Sequence, residues 1–163
     1  MRRTIEAHLG TRQVSRVIYG AIIGMALVVA LEAHPPRPGV VAATLLATAI
    51  AVSLAEFYSE VVGAETRFRR RVGREGAKRM LADAAAVAFG IAFPAVFFVL
   101  AAAGAIDGDT AFTLAKWSGL GLIGFYGFMA GRLAGASVGL SLVQALAVGV
   151  IGGALIAFKA LIH

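Results

Sequence analysis

Five long apolar runs dominate this sequence and restrict the folds open to it. They cover about residues 14–33, 39–60, 80–104, 110–131 and 138–161. Each run is long enough for an α-helix that crosses a membrane, which needs roughly 20 residues to cover about 30 Å of hydrocarbon. A bilayer offers no water to unpaired backbone groups, so each run is predicted to form a transmembrane helix. We therefore expect an all-α membrane protein with five transmembrane helices in a single domain, residues 1–163.

Composition supports this class of protein. The chain is 60% hydrophobic and 15% charged, whereas about a quarter of the residues in soluble domains are charged. A net charge of +6 would favour nucleic-acid binding if the basic residues covered a soluble face. Here they lie between the apolar runs, which is typical of membrane orientation, so no nucleic-acid partner is expected. The chain has no cysteine, which excludes disulfides and thiolate metal sites.

The distribution of Lys and Arg predicts how the chain is oriented. One side of the predicted bundle has only Arg37, Lys116 and Lys159. The other side holds the remaining basic residues: Arg2, Arg3, Arg12, Arg16, Arg67, Arg69, Arg70, Arg71, Arg74, Lys78, Arg79 and Arg132. Because basic residues are retained on the cytoplasmic side, the N-terminus is predicted to be cytoplasmic and the C-terminus outside. Segment 61–79 is predicted to be a basic cytoplasmic loop.

Three carboxylates near the cytoplasmic ends of the runs are the best candidates for chemistry. Glu56 and Glu60 are four residues apart and share a helix face, and Asp83 begins the third run. A charge near the bilayer centre costs about 2.5–3.5 kcal/mol on insertion scales, so it needs a partner or a role. Oxygen ligands suit divalent cations, and neighbouring carboxylates raise each other's proton affinity. Glu56, Glu60 and Asp83 are therefore predicted as metal ligands.

Other polar residues reach the same predicted depth and are candidate contributors to that site: Tyr19, Ser53, Met129 and Gln144. A second interpretation assigns Glu56 and Glu60 a purely structural role. In that interpretation they pair with Arg132, Arg16 or the basic loop and hold the cytoplasmic end together. Glu32 and His34, at the outer end of the first run, are expected to be solvated.

Glycines and one proline predict details of packing. Gly127, Gly131 and Gly135 are four residues apart, a spacing that lets a neighbouring backbone approach closely in lipid. The same four-residue spacing occurs in two further pairs, Gly20 with Gly24 and Gly149 with Gly153. These stripes serve either packing within one chain or a homodimer interface. Pro94 lies inside the third run and is expected to kink that helix.

Several motifs resemble the vacuolar iron transporter family, whose yeast relatives are the calcium-sensitive cross-complementer proteins. Residues 18–24 (Ile-Tyr-Gly-Ala-Ile-Ile-Gly) are similar to the first-helix motif of the family, and residues 56–59 (Glu-Phe-Tyr-Ser) to its Glu-Tyr-x-Ser in helix two. Residues 131–135, followed by 145–149 and 152–153, resemble its final hairpin. The resemblance implies a five-helix homodimer with an ion path near the two-fold axis.

The chain also departs from that family. Ile22 and Ile23 stand where the family has Asn-Asp in its first helix, and Val52 replaces a methionine before the glutamate motif. The basic segment 61–79 replaces the Glu-rich metal-binding domain of the plant-type members. Of the family's transport residues only the glutamate is retained, as Glu56.

Three functions follow as hypotheses. The first is transport of a divalent cation such as Fe²⁺ or Mn²⁺, with proton coupling left open. The second is a non-transporting membrane scaffold that presents its basic loop to anionic lipid or to a partner, and the third is a subunit of a larger membrane complex. No enzyme activity or bound cofactor is expected, since the three His residues, at positions 8, 34 and 163, form no triad or zinc spacing. High use of Ala, Gly, Val and Arg favours a bacterial plasma membrane.

Overall fold

The described part of the chain consists of α-helices joined by short turns, without a β-strand. The computed structural model describes the backbone of residues 12–162 and the side chains of residues 13–147, 149–150 and 153–154. The helices are α1 Arg12–Glu32, α2 Pro38–Phe68, α3 Arg74–Ala92, α4 Ala95–Ala102, α5 Gly108–Leu133 and α6 Val138–Ile162. The all-α prediction is confirmed. Arg2 and Arg3, which contribute to the predicted orientation, lie outside the described residues.

Helices long and apolar enough to cross a membrane are present. Residues Gln13–Glu32 of α1 and all of α2 meet this condition, and the bent pair of α3 and α4 adds a third span if it counts as one. This supports a membrane protein. Helix α5 has Lys116 and several glycines among its hydrophobic residues. Five spans and their orientation remain predictions.

Helix α2 continues beyond the predicted second span. It ends at Phe68, and α3 begins at Arg74, so the connection is shorter than the predicted loop 61–79. Arg69 ends α2 in the left-handed conformation, with φ of 49°. The backbone N–H of Val72 donates to the carboxylate of Glu65 at 3.0 Å, which closes the turn. The prediction ended the helix where the apolar sequence ended, but a helix continues into water wherever its residues favour helix.

Pro94 breaks the third predicted span, as expected. Helices α3 and α4 meet there at a bend of 48°. Phe93 still donates its N–H to the carbonyl of Phe89 at 2.9 Å, but Pro94 has no N–H to continue the ladder. The bend directs α4 against α2 and α5.

Helix α1 is the central element, since it packs against both α3 and α5. Its crossing with α3 is made by glycines. A Cβ on Gly20 would lie 2.2 Å from the carbonyl oxygen of Val87, and one on Gly90 would lie 2.5 Å from that of Val17. Gly24 meets Ile91 in the same way. The Gly20 and Gly24 stripe therefore serves packing within one chain.

The interior of the bundle is apolar. One cluster includes Val28, Leu45 and Phe98, whose ring packs edge-to-face on Phe112 with centroids 4.8 Å apart. A second cluster, around Met25 and Ile123, joins α1 to α5. Burying such side chains stabilises each by about 1.5–3 kcal/mol relative to water, although lipid-facing positions gain less.

The start of α5 is capped by Asp107. The Thr110 hydroxyl donates to this carboxylate at 2.6 Å, and the Thr110 backbone N–H donates to it at 2.8 Å. These two hydrogen bonds hold the pKa of Asp107 below its usual value, because both stabilise the ionised form.

Candidate functional site

One arginine joins both glutamates of the predicted site. Arg16, in the first turns of α1, forms ion pairs with Glu56 and with Glu60 of α2. Glu56 and Glu60 share a face of α2 because they are one helical turn apart. The three side chains are only 24%, 21% and 17% exposed, respectively. The planar guanidinium has several donors in a fixed fork, so it can serve two carboxylates at once.

This pairing selects among the interpretations of Glu56 and Glu60. Of the three partners considered from the sequence, the one observed is Arg16. Arg132 instead donates to the carbonyl of Ala136 at 2.9 Å, within the turn between α5 and α6. The two glutamates therefore neutralise a cation that the protein itself supplies. In this conformation, their paired oxygens are occupied by Arg16.

Asp83 differs from the two glutamates. It is only 6% exposed, yet no hydrogen bond or ion pair joins its side chain to another residue within the described range. Asp83 lines a cavity of about 490 Å³ between the end of α2 and the start of α3, and Glu60 lines the same cavity. Asp83 and Glu60 are thus brought to one space, while Glu56 is held on the Arg16 side.

The other predicted contributors do not line the cavity that Glu60 and Asp83 share. Tyr19 is 47% exposed, and Gln144 is also exposed, whereas Met129 is partly buried. The Ser53 hydroxyl donates to the carbonyl of Ile50 in its own helix at 3.0 Å. Among the described side chains, no group of three or more His, Asp or Glu residues could hold a metal ion. The predicted metal site of Glu56, Glu60 and Asp83 remains a prediction.

A second ion pair lies at the opposite end of the bundle. Lys116 of α5 donates to Glu32 of α1 at 2.6 Å, and the two side chains are 22% and 23% exposed. Glu32 was expected to be solvated and is instead paired, while His34 is exposed. The sequence held a partial signal for this pair, because Lys116 was one of only three basic residues on the predicted outer side, the side of Glu32.

Apolar side chains fill the space between the two charged ends. Met25, Val28 and Ile123 are each at most 1% exposed and lie along the length of α1 and α5 between Arg16 and the Glu32–Lys116 pair. The charged groups of the bundle are therefore concentrated at its two ends.

The turn between α2 and α3 carries a dense group of exposed arginines, which we call the arginine turn: Arg67, Arg69, Arg70, Arg71 and Arg74. None of these guanidinium groups forms an ion pair with a residue that the structure describes, whereas the nearby Lys78 pairs with Glu75 at 3.1 Å. A groove of about 690 Å³ runs beside the turn, with Phe68 and Met80 in its wall. Within the described part of the chain, the arginine turn therefore presents positive charge that no carboxylate pairs with.

Comparison with known protein families, characterised proteins and solved structures found no match to this chain. The resemblance to the vacuolar iron transporter family stays a prediction from motifs.

Proposed function

We propose that this chain is a five-span, non-transporting scaffold protein of a bacterial inner membrane, whose arginine turn binds the anionic lipids of the cytoplasmic leaflet. The observation that carries this proposal is the arginine turn itself: five exposed guanidinium groups at one end of the molecule, none paired with a described residue. The N-terminus is cytoplasmic and the C-terminus outside in this proposal, as the distribution of Lys and Arg predicts.

The length of α2 supports placing the arginine turn at the lipid headgroups. Its 31 residues span about 46 Å at about 1.5 Å per residue, against about 30 Å of hydrocarbon. If α2 enters the hydrocarbon at Pro38, it leaves the hydrocarbon near Phe57. Glu60 then lies at the boundary and Arg67 in the headgroup layer or just beyond it. Each Lys or Arg near an anionic surface contributes roughly 1 kcal/mol.

The cluster of Arg16, Glu56 and Glu60 supports a scaffold over a carrier. Two partly buried carboxylates that share one guanidinium stabilise the contact between α1 and α2. Removing one partner of such a pair leaves a charge with poor solvation, which is costly. The apolar side chains between this cluster and the Glu32–Lys116 pair also fit a packed bundle.

Binding of anionic lipid tests the proposal. The full-length protein in detergent would be titrated with phosphatidylglycerol or with phosphatidylcholine, and bound lipids counted by native mass spectrometry at low and high salt. We expect more bound phosphatidylglycerol, with the excess lost at high salt. The excess should also fall in Arg70→Gln/Arg71→Gln but not in Arg37→Gln, an exposed arginine at the other end. Equal binding of both lipids, or an unchanged excess in the double variant, would overturn the proposal.

Divalent cation transport, with proton coupling, is the second candidate. The cavity shared by Glu60 and Asp83 favours it, because a transported ion needs carboxylates that face water. Displacement of Arg16 would free the oxygens of Glu56 and Glu60 for such an ion. This candidate predicts uptake of Fe²⁺ or Mn²⁺ into proteoliposomes that Asp83→Asn abolishes.

A homodimer through a glycine-rich face is proposed with either function. A Cβ added to Gly124, Gly149 or Gly153 would meet nothing within 4 Å, and these glycines line an open apolar groove of about 510 Å³ between α5 and α6. In lipid, such a face lets a second helix approach closely. Light scattering in detergent should give a dimer mass for the wild type and a smaller mass for Gly124→Leu. A monomeric wild type would contradict the dimer.

A further inference from the structure

The cavity between the end of α2 and the start of α3 combines three kinds of lining that a single ligand can satisfy. The acidic residues Glu60 and Asp83 line it. The basic residues Arg67 and Arg79 line it as well, and Phe68 with Met80 provides an apolar wall. At about 490 Å³, the cavity has the size of a small-molecule site.

Asp83 is the group that points to a ligand. Only 6% of this residue is exposed, and its side chain has no partner among the described residues. Glu60 pairs with Arg16, whereas no cation among the described residues pairs with Asp83. No described side-chain oxygen is both fully buried and without a partner, so the Asp83 oxygens open onto the cavity, where a bound ammonium group could pair with them.

The arginines of the cavity can bind an anion on the same ligand. Arg79 lies one turn before Asp83 on α3, so its Cα is about 6 Å further along the helix axis. Arg67 and Arg79 are both exposed and form no ion pair with a described residue. Arginine binds phosphate with two parallel hydrogen bonds. A ligand that carries both an ammonium and a phosphate would therefore match the charged residues of the lining.

We propose that this cavity binds a phosphoethanolamine group, with the ammonium at Asp83 and the phosphate between Arg67 and Arg79. The two carbons of the ethanolamine link the ammonium to the phosphate. The exposed ring of Phe68, 64% accessible, and the side chain of Met80 would contact the apolar part of the molecule that carries the group. That molecule is either a soluble phosphoethanolamine compound or phosphatidylethanolamine.

This inference goes beyond the proposed binding of anionic lipid, because the ligand is zwitterionic and the decisive residue is an acid. The two proposals can fail separately. Arg70 and Arg71 do not line this cavity, so Arg70→Gln/Arg71→Gln should leave phosphoethanolamine binding unchanged. Asp83→Asn should leave the binding of phosphatidylglycerol at the arginine turn unchanged.

Calorimetric titration of the full-length protein in detergent tests the site. The ligands are short-chain phosphatidylethanolamine, the matched phosphatidylcholine and phosphatidylglycerol, and soluble glycerophosphoethanolamine. We expect phosphatidylethanolamine to bind at least about tenfold more tightly than the other two lipids, because only it offers a primary ammonium with its phosphate. Asp83→Asn should remove this preference, while Lys78→Gln, at an exposed residue outside the cavity, should keep it. Comparable affinity for glycerophosphoethanolamine would identify a soluble ligand, and much weaker affinity would identify the lipid.

Arg79→Gln is a second variant that tests the site even if Asp83→Asn alters folding. Arg79 is exposed, so its replacement should leave the thermal midpoint unchanged and weaken phosphatidylethanolamine binding by about tenfold or more. Equal affinity for the three short-chain lipids would overturn the proposal. An unchanged preference for phosphatidylethanolamine in both Asp83→Asn and Arg79→Gln would overturn it as well.

Discussion

Arg16 of α1 pairs with Glu60 of α2 while also pairing with Glu56 one turn away, so a single guanidinium binds two carboxylates of a neighbouring helix. Helices α1 and α2 share few other contacts, since α1 packs mainly against α3 and α5. The ion pairs therefore hold together two helices that lack a broad apolar interface. This makes the cluster a structural element at the Arg16 end of the bundle.

Replacing Arg16 with Gln should destabilise the protein. The substitution leaves Glu56 and Glu60 partly buried, close together and without a cation. Breaking a fully buried pair costs about 3–5 kcal/mol, and partial exposure reduces this to about 1–3 kcal/mol. The thermal midpoint in detergent should fall for Arg16→Gln but stay near the wild-type value for Arg37→Gln. Adding Glu56→Gln and Glu60→Gln to Arg16→Gln should restore part of the loss. An unchanged midpoint in Arg16→Gln would show that the pairs contribute nothing.

The glycine crossing of α1 and α3 should not tolerate a methyl group. A Cβ on Gly20 would lie 2.2 Å from a backbone oxygen of α3, and a backbone atom cannot move aside as a flexible side chain can. Overpacking of this kind costs typically about 1–3 kcal/mol. Gly20→Ala should therefore unfold at a lower temperature than the wild type. Gly121→Ala is the matched control, because nothing lies within 4 Å of its added Cβ. Equal midpoints for the two variants would contradict the observed crossing.

Asp107 should make stability depend on pH in the acid range. Its pKa is lowered by hydrogen bonds from Thr110 in the folded state. A lowered folded-state pKa means that the stabilisation is present above the unfolded value of about 3.9 and is lost as pH falls through the folded pKa. The thermal midpoint of the wild type should exceed that of Asp107→Ala near neutral pH, and the difference should narrow below about pH 4. A difference that does not change with pH would mean that the carboxylate charge is not what caps α5.

The sequence predicted the positions of the helices well, because each long apolar run is helical. The kink at Pro94 was also predictable, since a missing N–H acts locally. The end of α2 was not predictable. Beyond the apolar run, the end of the helix is fixed by the hydrogen bond from the backbone N–H of Val72 to the carboxylate of Glu65. The sequence alone does not show that the chain turns back so that these two groups meet.

The candidate site was only partly predictable for a related reason. Glu56 and Glu60 could be assigned to one face by their spacing alone. Their partner could not, because Arg16, Arg132 and the basic segment were equally near the predicted boundary. Asp83 was predicted to reach the same depth as Glu60 from its position at the start of the third run, and the two residues line one cavity. The pairing of Lys116 with Glu32 depends on how α1 packs against α5, which the glycines of α5 do not specify.

Cation uptake into proteoliposomes tests the central claim, that Arg16 holds Glu56 and Glu60 in a structural role. Wild type, Glu56→Gln and Asp83→Asn would be compared with empty liposomes for Fe²⁺, Mn²⁺, Co²⁺ and Zn²⁺, with and without a pH gradient. We predict that no variant exceeds the empty liposomes, while the thermal midpoint of the purified wild type shows that the protein is folded. Uptake by the wild type that Glu56→Gln abolishes would contradict the claim and establish Glu56 as a transport residue.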